Sequence, residues 1–271
     1  MTGDTSWRDF ERAGWESHVE PYHRFFGPIC ARLADPLLDA VGARAGTRLL
    51  DVCCGPGYVA GRAVERGSVV EGIDIARSMV ELAATLCPAA RFQVGDAEQM
   101  PYADHDFDAV VCNIGLHHLT SPGRGVAEFA RVLRPAGLLS LTIWDEDSSA
   151  LAIVPEAIAS AGAVVPDDLP TPPQEPAYDS AEELEPLLRA AGLTPKSVEP
   201  ITFLQAYPSP QALWDGWLAA AFRTGPLLAA QSQDVQAAAH RGFGDLVAPY
   251  LDVDGAVALP VAFIIITATA E

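Results

Sequence analysis

The chain has 271 residues, 49% of them hydrophobic, and carries 17 basic against 36 acidic side chains, a net charge of −19. That supplies the core of one domain with insertions, or of two, and no apolar run reaches the ~18 residues of a membrane span. Lys196 is the only lysine and there is no basic stripe, so nucleic acids and anionic membranes, which need clustered cations, are excluded as expected partners.

The acidity itself reads as solubility. Met1-Thr2-Gly3-Asp4 lacks the basic and apolar regions of a secretory signal, so the expected location is cytoplasmic. The five cysteines are odd in number and contain no C-x-x-C pair, which suggests neither a disulfide framework nor a zinc site. Cys53, Cys54 and Cys112 fall at or near strand ends and read as small buried hydrophobes.

In chain order, residues 1–46 read as mostly helical. Trp7, Phe10, Trp15, Val19, Tyr22 and Phe26 recur at intervals of three to five and form one apolar face. Such a segment either packs on a sheet or closes as a lid over a pocket. The stretch from Arg48 starts as an apolar run ending on an acid, Asp51, and predicts a buried parallel strand. Gly55-Pro56-Gly57 breaks it, and a helical pattern runs from Tyr58 to about Arg66. Strand, glycine turn and helix make the first half of a βαβ unit, whose bare turn lets a ligand lie against the backbone. Ser68–Asp74, Arg91–Val94, Phe107–Asn113 and Leu138–Trp144 predict four more strands, with helices over Arg77–Leu86 and Arg124–Arg134. Three successive strands end in Asp51, Asp74 and Asp96. At one edge of a parallel sheet, these argue for a shared polar ligand.

Beyond Trp144 the pattern changes. Residues 145–178 are acidic, then Ala-rich, then Pro-rich, which predicts a helix plus an irregular insertion. Ser180–Ala191 is a helix opened by the capping-box pattern Ser180-Ala181-Glu182-Glu183 and stopped at Gly192. Thr194–Tyr207 predicts a sixth strand, residues 209–250 two or three helices, and Leu259–Ala270 a seventh strand. The insertions after strands five and six are expected at opposite ends of the sheet unless the chain folds back. Either is a candidate substrate cover.

Two cofactors compete for the glycine turn. A dinucleotide fingerprint is G-x-G-x-x-G, but Gly55, Gly57 and Gly61 miss its last spacing by one. S-adenosylmethionine, SAM, suits the strand ends better. Asp74, 19 residues after Gly55, offers a carboxylate to a ribose diol, and Asp96 an acceptor to the adenine amine. Ile75, Met79 and Ala97 offer apolar faces to the ring, and Asp51, Cys53, Gly55 and Asn113 polar or backbone groups to the methionine part.

Leu50-Asp51-Val52-Cys53-Cys54-Gly55-Pro56-Gly57 resembles the first motif of the class I SAM-dependent methyltransferases. Gly72-Ile73-Asp74 with Ser78-Met79, Gly95 to Tyr102, Phe107-Asp108-Ala109-Val110 and Val132 to Gly137 resemble their next four elements, in order, across residues 47–144. The pattern is most similar to the subgroup acting on small molecules such as quinone precursors, sugars and secondary metabolites. The usual first motif carries Gly where this chain has Cys53. The resemblance implies an α/β fold: a doubly wound, seven-stranded, mostly parallel sheet of Rossmann-like methyltransferase type, its last strand antiparallel. An N-terminal helical lid over 1–46 would precede a SAM-binding domain over 47–271, with cover insertions at 145–178 and 208–255. It also implies that an N-terminal aromatic, here Tyr22, closes over the cofactor.

His117-His118 lies just past the fourth strand, near the expected methyl donor, where an imidazole suits deprotonation of a hydroxyl. In similar O-methyltransferases a His pair here acts with an Asp after strand five, which corresponds to Asp145. The alternative is that one His packs in the core and the other only lines the pocket. The acidic runs Asp145-Glu146-Asp147 and Glu182-Glu183 read as solvated faces, and no metal site is indicated. The leading expectation is methyl transfer from SAM to a small, partly apolar acceptor, with oxygen favoured. A second is a protein of the same fold that binds SAM without transferring its methyl, as a cyclase or regulatory subunit. A third is an NAD(P)-dependent reductase, opposed by the glycine spacing.

Overall fold

The structure is a computed structural model and describes residues 3–145, 149–172, 178 and 180–271. Glu146 and Asp147 of the acidic run after Trp144, and part of the Pro-rich stretch, lie outside the described residues. Three helices open the chain: α1 (Gly3–Ser17), α2 (Val19–Phe25) and α3 (Gly27–Ala40). There follow β1 (Arg48–Val52), α4 (Tyr58–Glu65), β2 (Val69–Asp74), α5 (Arg77–Leu86), β3 (Arg91–Val94) and β4 (Phe107–Asn113). Next come α6 (Pro122–Val132), β5 (Leu133–Trp144), α7 (Ile153–Ser160), α8 (Ala181–Ala190) and β6 (Leu193–Tyr207). Last are α9 (Pro210–Ala220), α10 (Thr224–Ala229), α11 (Gln233–Val247) and β7 (Val257–Ala270).

One seven-stranded sheet has the order β3-β2-β1-β4-β5-β7-β6. The first five strands are mutually parallel, and β7 runs antiparallel between β5 and β6. The expected doubly wound α/β architecture is thus present. Its core forms where the apolar strands meet their helices, around Phe107, Phe129 and Phe263, all fully buried. Pro260 interrupts β7 without breaking it because it lies beyond the stretch paired to β5, so no ladder bond from its nitrogen is missing there.

Two expectations need correction. The helix placed over Arg124–Arg134 ends at Val132, and β5 begins at Leu133, which pairs with Phe107. Pro135 and Gly137 therefore sit in a register shift of the strand rather than stopping the helix. The insertions also share one end of the sheet. Since β6 is antiparallel to β7 and β7 to β5, β5 and β6 run the same way. Both finish at the edge where β1, β2 and β4 finish. The segment with α7 and the segment with α9 to α11 therefore close over a common rim. Among the described residues no helix is long and apolar enough to cross a membrane.

Candidate active site

The turn after β1 is held by its own backbone. Cys53, Gly55 and Gly57 all take the left-handed region, with φ of 54°, 50° and 80°. A Cβ on Gly55 would meet nothing within 4 Å, so its backbone faces open space that a ligand can fill. Asp74 closes the turn from the end of β2. Its carboxylate accepts the Gly55 N–H at 2.9 Å and the Ala76 N–H at 2.9 Å. Burial pushes the Asp74 carboxyl up from its ordinary value, and those two N–H groups pull it back in part.

A cleft at this edge brings together Tyr22, Cys53, Gly55, Asp74, Ile75, Met79, Asp96, Ala97, Asn113 and His118. Asp51 is not among its lining residues. It is almost fully buried and accepts the Ala60 N–H at 3.0 Å, so it fastens the first turn of α4 instead. Burial drives its carboxyl well above the ordinary range. Asn113 reaches the cleft, but its amide also joins elements. Nδ2 donates to Cys30 O at 3.1 Å and Oδ1 accepts from Thr142 Oγ1 at 2.8 Å. The Cys112 thiol and burial push Cys53 well up, so the Cys53 thiol stays protonated and acts as a packing group.

A second, larger cavity of about 420 Å³ adjoins the cleft. Trp7, Trp15, Tyr22, Phe26, Trp144, Trp217 and Phe222 supply aromatic wall, with Ala220 and Ala221 beside them. Glu11, Trp15, Tyr22, Ile114 and His118 line both spaces, so the boundary between cleft and cavity runs past the His118 ring. His117 lines the cavity alone. Its Nε2 accepts from the Trp144 indole at 3.4 Å, and burial holds its pKa well below the ordinary value. His117 is therefore a neutral wall group. Asp145 lines neither space; its backbone N–H donates to Ala262 O at 3.2 Å.

The family profile described as a methyltransferase domain matches residues 50–141. Residues 50–141 are thus similar to a methyltransferase domain. The chain is 37% identical over 103 residues to the demethylmenaquinone methyltransferase of Renibacterium salmoninarum, covering 38% of this chain and 44% of that one. The 27-O-demethylrifamycin SV methyltransferase of Amycolatopsis mediterranei is 34% identical over 180 residues, covering 63% of this chain and 62% of that one. The chain thus spans less than two thirds of the length of these relatives. A crystal structure of a methyltransferase-like protein from Bacillus halodurans shares the fold, with a TM-score of 0.58, 19% identity, and 87% of this chain and 97% of that chain covered.

The sequence reading missed the residues that α1 adds to the site. Glu11 Oε2 lies 3.0 Å from His118 Nδ1 and accepts the Trp15 indole N–H at 3.0 Å. Arg8 pairs with Asp96 at 3.3 Å and with the buried Glu98 at 2.8 Å. Glu98 in turn accepts the N–H groups of Thr120 and Ser121, fixing the loop that follows His118. No local motif marks the contacts of Glu11 with His118 and of Arg8 with Glu98, which join residues 107 and 90 positions apart. One signal was present: Glu11 falls between Trp7 and Trp15 on the apolar stripe, where an unpaired acid is costly.

Proposed function

We propose that this protein transfers a methyl group from SAM to a small, largely apolar acceptor, with oxygen as the favoured nucleophile. The observation that carries the reading is the pairing of two spaces with opposite chemistry. A cleft ends on Asp74 and the open Gly55 backbone, and an aromatic cavity opens beside it past His118. The cleft residues fit SAM: Asp74 would hold the ribose, Ile75, Met79 and Ala97 would enclose the adenine, and the Gly55 backbone would lie against the methionine part. Asp96 would receive the adenine amine, with Arg8 sharing its carboxylate. When bound, SAM supplies a methyl group activated by a sulfonium.

This chain's part is then alignment, exclusion of water and removal of one proton. The aromatic wall orients an apolar body and keeps the junction dry. His118, the half-exposed imidazole at that junction, is the base, while neutral His117 forms wall. A demethylmenaquinone and 27-O-demethylrifamycin SV, which the two relatives above are named for, are the acceptors to screen first.

The test is calorimetric. SAM and S-adenosylhomocysteine should bind and NADPH should not. Asp74→Ala should weaken SAM at least tenfold, since hydrogen bonds to a charged group contribute about 1.5–3 kcal/mol. Near-normal affinity in that variant removes the cofactor assignment. SAM binding without S-adenosylhomocysteine release across a hydroxyl panel points instead to a protein that binds SAM without transferring methyl.

A further inference from the structure

Glu11 is a carboxylate on the apolar face of α1. It is 5% exposed, flanked by Trp7 and Trp15 on adjacent turns of the same face, and lines a largely apolar cavity whose other charged side chain is Arg223. Burying such a group is costly unless it is paired. Its pairing is specific, because one oxygen, Oε2, receives both the Trp15 indole N–H and His118 Nδ1. A carboxylate oxygen only accepts, so the hydrogen of the neutral imidazole must sit on Nδ1. That leaves the lone pair on Nε2, which has no hydrogen-bond partner among the described residues. The Trp15 ring also packs edge-on against His118, with centroids 4.9 Å apart, and restricts how the imidazole turns.

We propose that Glu11 is a positioning residue that holds His118 as the base for an acceptor whose nucleophile is protonated at neutral pH, a hydroxyl on an apolar body. The inference rests on the methyl-transfer reading. As the acceptor oxygen bonds to the methyl carbon, that carbon's bond to sulfur breaks and its electron pair stays on sulfur. The hydroxyl proton passes to His118 Nε2. The sulfonium charge is thereby replaced by an imidazolium charge, and Glu11 faces that imidazolium through a charge-assisted hydrogen bond. Because Glu11 arrives on α1, the base is complete only when that helix covers the cleft. Methyl transfer and closure of the site are thus joined in one contact.

The experiment has two arms on the full chain. The first reads the His118 tautomer by nitrogen-15 NMR at pH 8.5, its signals assigned by their loss in His118→Gln. Wild type should show hydrogen on Nδ1. Glu11→Leu should move it to Nε2, the form free imidazole prefers. Hydrogen on Nε2 in wild type, or the same tautomer in both proteins, overturns the proposal whatever the activity. The second arm compares naphthalen-2-ol with naphthalene-2-thiol, which is ionised without a base, as acceptors for wild type and Glu11→Gln. The variant should lose at least tenfold in kcat for the alcohol, the scale of a general base, and keep the thiol rate and the KM for SAM. Equal losses for both acceptors make Glu11 merely structural and overturn the proposal while methyl transfer stands. Failure of wild type to bind S-adenosylhomocysteine would instead remove the methyl-transfer reading, leaving the tautomer result to stand or fall by itself.

Discussion

Adjacent residues in this site have unlike tasks, and the backbone decides which. His117 and His118 are neighbours with ring centroids 4.2 Å apart, yet one contacts an indole donor and the other a carboxylate. Burial, and then repulsion from His118, hold the His117 pKa below the ordinary value near 6.5. Unfolding therefore takes up a proton as pH falls through that value, so His117 supports stability above about pH 6.5 and erodes it below. Asp51 and Asp74, raised by burial, have the opposite sign, and their contribution is common to wild type and a His117 variant. Between pH 7.5 and 5.5 the Tm of wild type should fall further than that of His117→Gln, whose amide oxygen still accepts from Trp144. Parallel melting curves would mean that His117 is not held neutral. Cys53 shows the same dependence on neighbours. A Cβ on Gly115 would lie 2.6 Å from Cys53 Cβ and 2.8 Å from Cys112 Sγ, so the side chain at 53 is admitted only because 115 has none. Gly115→Ala should cost about 1–3 kcal/mol by overpacking. Adding Cys53→Gly should recover about 1 kcal/mol of that as a coupling energy in denaturant unfolding. Simple additivity would disprove the contact.

At the scale of elements, α1 decides whether the cleft is covered. It is fixed at both ends: Arg8 pairs with Asp96 and Glu98, and Glu16 accepts the N–H groups of Arg77 and Ser78 at the start of α5. Burial would raise Glu16, but those two N–H groups hold its carboxyl below the ordinary value. Between these ties, Gly14 lies against Phe222, where a Cβ would fall 2.3 Å from the ring. Gly14→Ala gains about 1 kcal/mol of helix propensity but must push α1 and the ring apart. Amide exchange over residues 8–17 should accelerate and kcat for a hydroxyl acceptor should fall, with little change in the Tm of the sheet core. Unchanged exchange would show that the helix is not seated on Phe222. This element also marks what the sequence reveals and what it conceals. The period of Trp7, Phe10 and Trp15 is local and legible, as are strands β1 to β4, whose apolar runs end on turn residues. Which acid of α1 meets which histidine depends on a docking register set by Gly14 and Phe222, side chains 208 positions apart, and no local pattern encodes it. Asp51, Asp74 and Asp96 looked equivalent for a related reason. All three lie at or within two residues of a strand end, but Asp51 is drawn under α4 by the Ala60 N–H, and only the packed helix shows that.

At the scale of the molecule, the antiparallel β7 settles where the aromatic cavity forms. Inserted between β5 and β6, it turns the end of β6 to the same rim as β5. Two segments that are remote in sequence, around α7 and from α9 to α10, thereby face each other across one cavity of about 420 Å³. The parallel half of the sheet holds the cleft with Asp74, and the antiparallel half holds the cavity. This division makes the two binding steps separable. Ala221 is half-buried on the cavity wall and does not line the cleft. Ala221→Trp should fill the acceptor space, raising KM for an apolar hydroxyl acceptor by about tenfold or more, the scale of one lost pocket contact. Calorimetry with S-adenosylhomocysteine should meanwhile stay within about twofold of wild type, because the Gly55 turn and Asp74 are untouched. Loss of both affinities together would show one continuous site, in which the cofactor depends on the cover. Loss of neither would place the acceptor outside the aromatic cavity and take the apolar substrate class with it.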